Sequence, residues 1–431
     1  MQKRPDPGFF AELEAREIVK QVTDPELAQA LGKEPMTLYI GFDPTADSLH
    51  VGGLLPLVTL RRFQLAGHRP IAVIGGATGM IGDPSGKTQE RSLLTDEKIA
   101  HNLKGITKNI AKVLDLSPAS GAKVLNNADW TRSVSYIEFL RDIGKHFTVN
   151  HMTAKESVRA RLEDREHGIS YTEFSYMLLQ AYDFLVLKER ENCLLQVGGS
   201  DQWGNITAGI DLIRKVHGTN AGVYGMTHPL VMKADGTKFG KSEQGAIWLD
   251  SDKTSPYQFY QYFIQTTDAD VIRLLRYYTF LPLKEIASLE NSLKTEPEKR
   301  TSQLTLAREL TRMVHGDSEL SQVERTSQAL FGSAIKELDE RSLLDVMSGA
   351  PTTQKSKDLL SQGIPLVELV AETGLCSSKG AARKDITAGG IYVNNDRVND
   401  ASHVLKTADL ISGGYIVLRK GKRTYHLVAF R

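Results

Sequence analysis

The sequence has only two cysteines among its 431 residues, Cys193 and Cys376. Two cysteines cannot build a disulfide framework or a cysteine-based metal site, which excludes disulfide-rich and zinc-module classes. No apolar run approaches the roughly 20 residues that a membrane helix needs. The first 16 residues are charged throughout, unlike the apolar core of a signal peptide. We therefore expect a cytoplasmic protein without a membrane partner, in which both cysteines are inert.

An excess of charge of either sign is also missing. The chain has 53 Lys and Arg against 52 Asp and Glu, a formal net charge of +1. Any contact with nucleic acid must therefore come from a local basic patch. A length of 431 residues exceeds one ordinary core, so we expect about two to four domains.

Apolar runs rich in β-branched residues alternate with helical patterns over the first half of the chain. Strands are predicted at 37–42, 70–75, 123–126, 194–197 and 229–232. This alternation predicts an α/β fold, a doubly wound Rossmann-like parallel sheet that binds ligands beyond the carboxyl ends of its strands.

The rest of the chain divides into three further parts. After a sheet domain at 1–250, the pattern is purely helical over 251–335, and its aromatic cluster is interpreted as core. A stretch with Pro351, within 336–362, predicts a linker. Residues 363–431 predict a small α+β domain, which from Leu410 onward has five basic residues and no acidic one.

Two separate segments have the composition of phosphate-binding loops. The first, 44–53, follows a predicted strand and leads into a helical pattern, so its backbone amides should meet anions at a helix N-terminus. In it His50 can donate a ring N–H to an oxyanion and Thr45 a hydroxyl. The second, 238–242, places Lys238 and Lys241 around Gly240, as in a loop that closes on a triphosphate. Together they imply attack on the α-phosphate of ATP with loss of pyrophosphate.

A glycine-rich segment follows the second predicted strand. Residues 82–88 resemble a P-loop, but the first required glycine is replaced by Ile81. Close approach of this backbone to a ligand is still expected. Lys87 and Arg91, in the loop beyond, are placed to reach phosphate from the opposite side.

A polar stripe lies on a helix predicted from a capping box at Ser170 to about Leu187. The stripe consists of Glu173, Tyr176, Gln180 and Asp183. Because the rest of this helix is nearly all apolar, the stripe should line a cavity. Asp183 could accept a hydrogen bond from a hydroxyl group, Gln180 could take an amine, and Asp83 adds countercharge for an ammonium group.

The segment after the fourth predicted strand, 198–205, is a glycine-rich turn with an acidic residue. Asp201 is placed to accept ribose hydroxyls, as acidic residues beyond a strand often are. Gln202 could bind an acyl oxygen.

These segments together resemble the bacterial-type tyrosyl-tRNA synthetases, a family of class I aminoacyl-tRNA synthetases, over essentially the whole chain. The resemblance rests on 39–50, 75–87, 198–205 and 233–242. Within them, 50–53 corresponds to the HIGH motif and 238–242 to the KMSKS motif. The resemblance implies activation of L-tyrosine by ATP with Mg²⁺ to tyrosyl-adenylate, then transfer to the 3' end of tRNA(Tyr), with no tightly bound cofactor and no resident metal.

The resemblance also implies roles for individual residues. The implied tyrosine-binding residues are Tyr39, Asp83, Tyr176, Gln180, Asp183 and Gln202. The implied ATP-binding residues are Gly41, Asp43, Gly52, Gly198, Asp201 and Lys241. The implied catalytic residues are Thr45, His50, Lys87, Arg91, Lys238, Lys241 and Ser242. The RNA-binding candidates of the basic C-terminal domain are Lys379, Arg383, Lys384, Arg419, Lys420, Lys422 and Arg423. The helical domain corresponds to the anticodon-side module. The family forms homodimers, with 139–152 as the implied contact region, although the periodicity of this region alone equally predicts core.

One position departs from the family pattern. Gly53 stands where the last histidine of the HIGH motif, or sometimes an asparagine, is usual. We therefore expect slightly altered ATP binding and not inactivity.

Three alternative functions are weighed against this one. A tryptophanyl-tRNA synthetase would share the fold and both phosphate motifs, but Tyr39 and Asp183 argue for a phenol pocket. A free-standing nucleotidyltransferase would not need the RNA-binding modules. A non-catalytic RNA-binding protein derived from a synthetase would not need His50, Lys238, Lys241 and Asp183.

Overall fold

The computed structural model describes residues 5–85, 94–163, 168–237, 239–242, 245–329, 333–421 and 424–431. It divides into two compact units. One contains the chain up to Thr254 together with Tyr262–Val314, and the other contains Ser255–Gln261 together with His315–Arg431. None of the helices in the described ranges is long and apolar enough to cross a membrane.

The first unit is built on a six-stranded sheet in the order β1-β6-β5-β2-β3-β4. All neighbouring strands are parallel except β1, which pairs antiparallel with β6. The strands are β1 (Gln21–Val22), β2 (Thr37–Phe42), β3 (Arg69–Ile74), β4 (Lys123–Asn126), β5 (Cys193–Gly199) and β6 (Tyr224–His228). The predicted doubly wound α/β fold is confirmed.

Helices cover this sheet and continue into the helical region that follows it. They are α1 (Phe9–Ala15), α2 (Glu26–Lys33), α3 (Leu54–Leu65), α4 (Asp96–Val113), α5 (Ala128–Thr131), α6 (Tyr136–Asp142), α7 (Val149–Thr153), α8 (Glu156–Glu163), α9 (Tyr171–Glu191), α10 (Trp203–His217), α11 (Pro256–Ile264), α12 (Asp268–Tyr278), α13 (Leu283–Thr295) and α14 (Thr301–His315). A short hairpin, β7 (Lys241–Ser242) with β8 (Gly245–Ala246), lies between α10 and α11.

Four predicted strands correspond to β2, β3, β4 and β5, whereas the strand predicted at 229–232 is wrong. The sixth strand precedes that segment and ends at His228. Pro229 has no backbone N–H to donate to a neighbouring strand, so it ends the ladder.

The long helix α9 begins as the sequence predicts and runs four residues further. The Ser170 hydroxyl accepts the N–H of Glu173 at 3.2 Å, which caps the first turn. The Glu173 carboxylate forms a buried ion pair with Arg161, with 2.9 Å between Oε2 and the guanidinium. At its other end, Asn192 adopts a left-handed conformation with φ of 48° and stops the helix.

The second unit contains a five-stranded sheet in the order β12-β11-β14-β15-β9 and a separate pair, β10 with β13. Its strands are β9 (Thr352–Lys355), β10 (Ile364–Pro365), β11 (Ile391–Val393), β12 (Asp396–Val398), β13 (Val404–Leu405), β14 (Tyr415–Lys420) and β15 (Thr424–Phe430). Its remaining helices are α15 (Asp317–Ala329), α16 (Glu340–Val346), α17 (Asp358–Gln362), α18 (Leu366–Glu372) and α19 (Lys379–Thr387).

The segment predicted as a linker, 336–362, is instead part of the second unit. It contains α16, α17 and the edge strand β9, which pairs in parallel with β15. Pro351 suggested a linker, but the carbonyl of Pro351 accepts the N–H of Leu427 at 2.9 Å. A proline fits there because the residue before an edge strand needs no N–H donor.

Candidate active site

A cavity of about 330 Å³ opens at the carboxyl ends of β2, β3 and β5. This is the edge at which parallel α/β sheets bind ligands. The cavity is lined by all six predicted tyrosine-binding residues, namely Tyr39, Asp83, Tyr176, Gln180, Asp183 and Gln202. It is also lined by five of the predicted ATP-binding residues, namely Gly41, Asp43, Gly52, Gly198 and Asp201.

A buried carboxylate marks one end of the cavity. Asp183 Oδ2 accepts a hydrogen bond from Asn127 Nδ2 at 3.0 Å, and Oδ1 accepts one from Trp130 Nε1 at 2.7 Å. Burial raises the pKa of Asp183 to about 7, although both hydrogen bonds act in the opposite direction. Tyr39 belongs to the same buried cluster, and burial and the Asp183 charge raise its pKa well above the ordinary value.

The Tyr39 hydroxyl is buried and has no hydrogen-bond partner among the residues that the structure describes. A buried hydroxyl without a partner costs free energy unless a ligand supplies one. Since a carboxylate with spare lone pairs lines the same cavity, a ligand hydroxyl is the group that suits this end of the site.

A second set of polar side chains in the cavity suits a ligand ammonium ion. Gln202 Nε2 donates to Asp83 Oδ2 at 2.7 Å, and Tyr176 Oη donates to Asp43 Oδ1 at 3.4 Å. The Oε1 atom of Gln180 is buried and has no partner in the described ranges. Carboxylate and amide oxygens are acceptors only, so together they favour a ligand cation with several N–H donors.

The two predicted phosphate segments lie against each other. A Cβ atom added to Gly240 would lie 3.0 Å from the backbone nitrogen of Gly52, and Gly240 has a φ of 94°. The carbonyl of Ile247 accepts the N–H of Val51 at 2.9 Å, while the N–H of Ile247 donates to the carbonyl of Gly240 at 3.1 Å. The fold therefore brings together segments almost 190 residues apart in the sequence.

His50 lies at the start of the turn that precedes α3 and is exposed. Its Nδ1 accepts the N–H of Gly52 at 2.9 Å. In neutral imidazole this acceptor role places the hydrogen on Nε2, which is then a donor, as predicted for an oxyanion contact. Thr45, also exposed, is held by its own N–H, which donates to the carbonyl of Asp43 at 2.9 Å.

The remaining predicted phosphate-binding residues belong to the segments 87–91 and 238–242. Lys87, Arg91 and Lys238 lie outside the described residues. Lys241 and Ser242 are described through their backbone, which forms β7.

The structure adds site residues that the sequence reasoning missed. Asn127 and Trp130 hold the carboxylate of Asp183, and Asn127 also donates to the Thr78 hydroxyl at 2.9 Å. A usable signal existed for Asn127, because it follows the third parallel strand just as other site residues follow β2 and β5. No sequence signal marks Trp130.

Two tyrosines of the helical region form hydrogen bonds with the phosphate segments, one with each segment. Tyr262 Oη accepts the N–H of Gly240 at 3.0 Å, and Tyr278 Oη donates to the carbonyl of Val51 at 3.3 Å. The ring of Phe239 stacks on Tyr278 with centroids 5.8 Å apart. Tyr262, which belongs to the aromatic cluster interpreted as core from sequence, therefore also contributes a hydrogen bond to the site.

Gly53 has an ordinary negative φ of −87°, so its backbone accepts any residue. A Cβ atom there would meet only Leu49 carbons, the nearest at 3.6 Å. The glycine is therefore not required by the backbone, and the first carbon of a side chain has room there.

The RNA-binding candidates of the second unit differ in their surroundings. Arg383 and Lys384 are exposed on α19. Lys379 pairs with Glu368, Lys420 lies 2.8 Å from Asp385, and the Arg419 guanidinium stacks 3.7 Å above the ring of Tyr392. Lys422 and Arg423 lie outside the described residues.

Comparison with known proteins places the whole chain in one family. Residues 31–332 match the model for class I tRNA synthetases (W and Y), and residues 343–428 match the model for the SYY-like C-terminal domain of tyrosine–tRNA ligase. The tyrosine–tRNA ligase of Opitutus terrae is 56% identical over 404 residues, which cover 93% of this chain and 94% of that protein. The ligase of Geobacillus kaustophilus is 51% identical over 426 residues, covering 98% of this chain and 99% of the relative.

A solved structure supports the same assignment. The C-terminally truncated mitochondrial tyrosyl-tRNA synthetase of Aspergillus nidulans is 30% identical, with a TM-score of 0.68 over 75% of this chain and 94% of that one. A tryptophanyl-tRNA synthetase of Encephalitozoon cuniculi, with 16% identity and a TM-score of 0.53, shares the fold only. The chain is more than 50% identical to tyrosine–tRNA ligases over nearly its whole length, and its C-terminal domain matches theirs. These findings exclude the alternative of a tryptophanyl-tRNA synthetase. The chain therefore belongs to the tyrosine–tRNA ligases of the class I aminoacyl-tRNA synthetase family.

Proposed function

We propose that this tyrosine–tRNA ligase recognises its amino acid through the two ends of the cavity. The phenolic hydroxyl of tyrosine donates to Asp183 and pairs with the hydroxyl of Tyr39. The α-ammonium group binds Asp83, Tyr176 and Gln180. The observation that carries this proposal is the buried hydroxyl of Tyr39, which lies near the Asp183 carboxylate and has no hydrogen-bond partner within the described ranges. Phenylalanine would leave the buried Tyr39 hydroxyl without a ligand partner and would give the Asp183 carboxylate no donor beyond Asn127 and Trp130, which is costly.

Activation then needs no nucleophilic side chain, because the carboxylate of tyrosine attacks the α-phosphate directly and pyrophosphate leaves. Gln202 orients that carboxylate, and Asp201 accepts the ribose hydroxyls. The backbone at Gly41, Gly52 and Gly198 lets the nucleotide approach closely, with Asp43 beside it. ATP arrives with Mg²⁺ as part of the substrate. The enzyme's contribution is positioning and stabilisation of charge.

The developing charge on the departing pyrophosphate meets donors from both phosphate segments. His50 donates from Nε2 and Thr45 from its hydroxyl. Lys87, Arg91, Lys238, Lys241 and Ser242 are assigned to the same task from the sequence pattern. The contacts between 50–53 and Gly240 support a common site for the two groups of donors.

Transfer of the tyrosyl group requires tRNA(Tyr) at the same cavity. We assign phosphate contacts to the basic C-terminal domain, with exposed Arg383 and Lys384 as the leading contributors. We further propose a homodimer through the region of 139–152, in the cytoplasm where tRNA is charged. The dimer is supported by exposed large apolar side chains in or near this region, at Tyr136, Ile137, Leu140, Val149, Leu162 and Tyr171.

The proposal is tested by ATP–pyrophosphate exchange with each of the 20 amino acids, first without tRNA. Exchange is expected with tyrosine alone, and Asp183→Ala should lose it while the circular dichroism spectrum is unchanged. Exchange with tryptophan would contradict the proposed pocket. Absence of exchange with every amino acid would favour a nucleotidyltransferase or a non-catalytic RNA-binding protein. Addition of tRNA(Tyr) should then give tyrosyl-tRNA.

A further inference from the structure

One face of α4 is packed against the loop that carries Thr45 and His50. Asn102 Nδ2 donates to the carbonyl of Pro44 at 2.8 Å. Asn109 Oδ1 accepts the N–H of Leu49 at 2.7 Å and the hydroxyl of Ser48 at 2.9 Å. Both asparagines are fully buried, with 0% and 1% of their surface exposed.

The residue between them on this face is a glycine. Residues 102, 105 and 109 are spaced by three and four, so they form one stripe along the helix. A Cβ atom on Gly105 would lie 1.7 Å from the carbonyl oxygen of Asp47, which is impossible without movement of the loop or the helix. Glycine inside a helix costs about 1 kcal/mol relative to alanine. Close approach of the loop is the physical reason for it here.

The stripe thus contacts the loop near its start, middle and end. The loop has no regular secondary structure between β2 and the turn at His50, so its backbone groups depend on partners from elsewhere. Lys253 also contacts this loop, because its Nζ lies 2.8 Å from the carboxylate of Asp47.

We propose that Asn102, Gly105 and Asn109 are positioning residues for tyrosine activation. They hold the backbone on either side of Thr45 and His50 so that these donors meet the charge that develops on the phosphates. This inference rests on the roles proposed above for Thr45 and His50. Donors that act only in the transition state must be fixed within a fraction of an ångström, and a misplacement of about 1 Å can cost about 100-fold in rate.

The same substitution at the two asparagines gives a sharp test. Asn109→Asp keeps an oxygen acceptor for both the Leu49 N–H and the Ser48 hydroxyl. Asn102→Asp removes the amide donor to the Pro44 carbonyl and places a carboxylate oxygen against it. We expect the single-turnover rate of tyrosyl-adenylate formation to fall by about 10- to 100-fold in Asn102→Asp. In Asn109→Asp it should stay within about threefold of the natural protein, whereas Asn109→Ala should behave like Asn102→Asp.

Equilibrium binding of tyrosine separates positioning from general damage. The hydrogen bonds described for the two asparagines go to the loop at 44–49, so the Kd for tyrosine should stay within about twofold in all three variants. Lys108→Ala, an exposed position on the same helix, is the matched control and should leave the rate unchanged. Gly105→Ala gives an independent test, because its methyl group must displace the loop, and it should lower the rate with tyrosine binding intact.

Three outcomes would overturn the inference. Rates within threefold of the natural protein in both Asn102→Asp and Asn109→Ala would show that the loop does not need these contacts. A parallel weakening of tyrosine binding would show that the residues support the whole domain. Equal losses in the two aspartate variants, both folded by circular dichroism, would refute the acceptor and donor assignments. Failure of the natural protein to form tyrosyl-adenylate would instead refute the proposed function.

Discussion

The ionisation of Asp183 should control tyrosine recognition across the neutral pH range. Burial raises the pKa of this carboxyl group to about 7. A charged acceptor makes a hydrogen bond roughly twice as strong as a neutral one. We therefore expect kcat/KM for tyrosine to fall as the pH drops below about 7, because the free enzyme then holds the weaker, protonated acceptor.

Trp130→Phe tests this reasoning because it deletes one donor to the carboxylate. Trp130 Nε1 lies 2.7 Å from Asp183 Oδ1, and hydrogen bonds to charged groups are worth about 1.5–3 kcal/mol. Loss of such a bond raises the pKa by about 1–2 units. With a pKa of about 8, only about a tenth of the carboxyl groups are ionised at pH 7, against about half before. kcat/KM for tyrosine should then fall about fivefold at pH 7 and recover toward pH 9.

The assay is ATP–pyrophosphate exchange from pH 5.5 to 9.5 at saturating ATP and low tyrosine. Asp183→Asn is the control for the assignment. The fall of kcat/KM for tyrosine below about pH 7 should be absent from any activity that this variant keeps. The pH dependence of kcat/KM for ATP at saturating tyrosine should be the same in Trp130→Phe as in the natural protein. If kcat/KM for tyrosine falls at the same pH in a folded Trp130→Phe protein as in the natural one, the claim that this hydrogen bond sets the ionisation of Asp183 is refuted.

Unfolding by urea offers a second measurement of the same group. The folded-state pKa of Asp183 lies above its ordinary value of 3.8, so the folded protein holds the proton more tightly. The associated stability is present below about pH 4 and is lost as the pH rises through about 7. A shift of about three units corresponds to about 4 kcal/mol. Relative to Asp183→Asn, the natural protein should therefore lose stability between pH 4 and 8, as measured by the urea midpoint.

Four further predictions concern other parts of the chain. Tyr278→Phe removes the hydrogen bond to the carbonyl of Val51, worth about 0.5–1.5 kcal/mol, and should lower the rate of adenylate formation about 2- to 10-fold with KM for tyrosine unchanged. Gly53→His should lower KM for ATP, because it adds a donor where the backbone has room, and equal ATP affinity would contradict this. Burial lowers the pKa of His228 to about 4, so the stability it provides is present above about pH 6.5 and lost on acidification, and His228→Leu should reduce that loss in melting curves. Ile137→Glu places a charge on a side chain that is 70% exposed, and light scattering should show a monomer if this face forms the dimer.

The sheet could be predicted well from the sequence because buried parallel strands are continuous apolar runs. β2 and β3 are such runs, and their bounds differ from the prediction by one residue at most. The errors arose where the signal was weak. β6 includes Gly225, Thr227 and His228, so its composition does not indicate a strand. The strand was instead predicted at 229–232, where apolar residues follow Pro229. The edge strand β9 is polar because one side of it is exposed.

The site was predictable to the extent that its residues lie in local patterns. His50 and Lys241 belong to two glycine-containing segments that together, with the first one directly after a strand, imply phosphate binding. The polar stripe of α9 was predictable because that helix has no other polar face. Trp130 follows no such pattern, since its role depends on the distance between a short helix and α9, which only the tertiary structure fixes.

The buried asparagines of α4 show why a polar pattern can mislead. On an amphipathic helix such as α4, polar residues are normally assigned to solvent, and Asn102 and Asn109 could have been assigned so. Yet burying an amide is costly unless it is hydrogen-bonded, so each buried asparagine must satisfy a specific partner. Here the partners are the backbone groups of an irregular loop, which no strand or helix can satisfy. On the proposed assignment, the irregular loop that carries Thr45 and His50 is therefore held in place by polar side chains of the helix behind it.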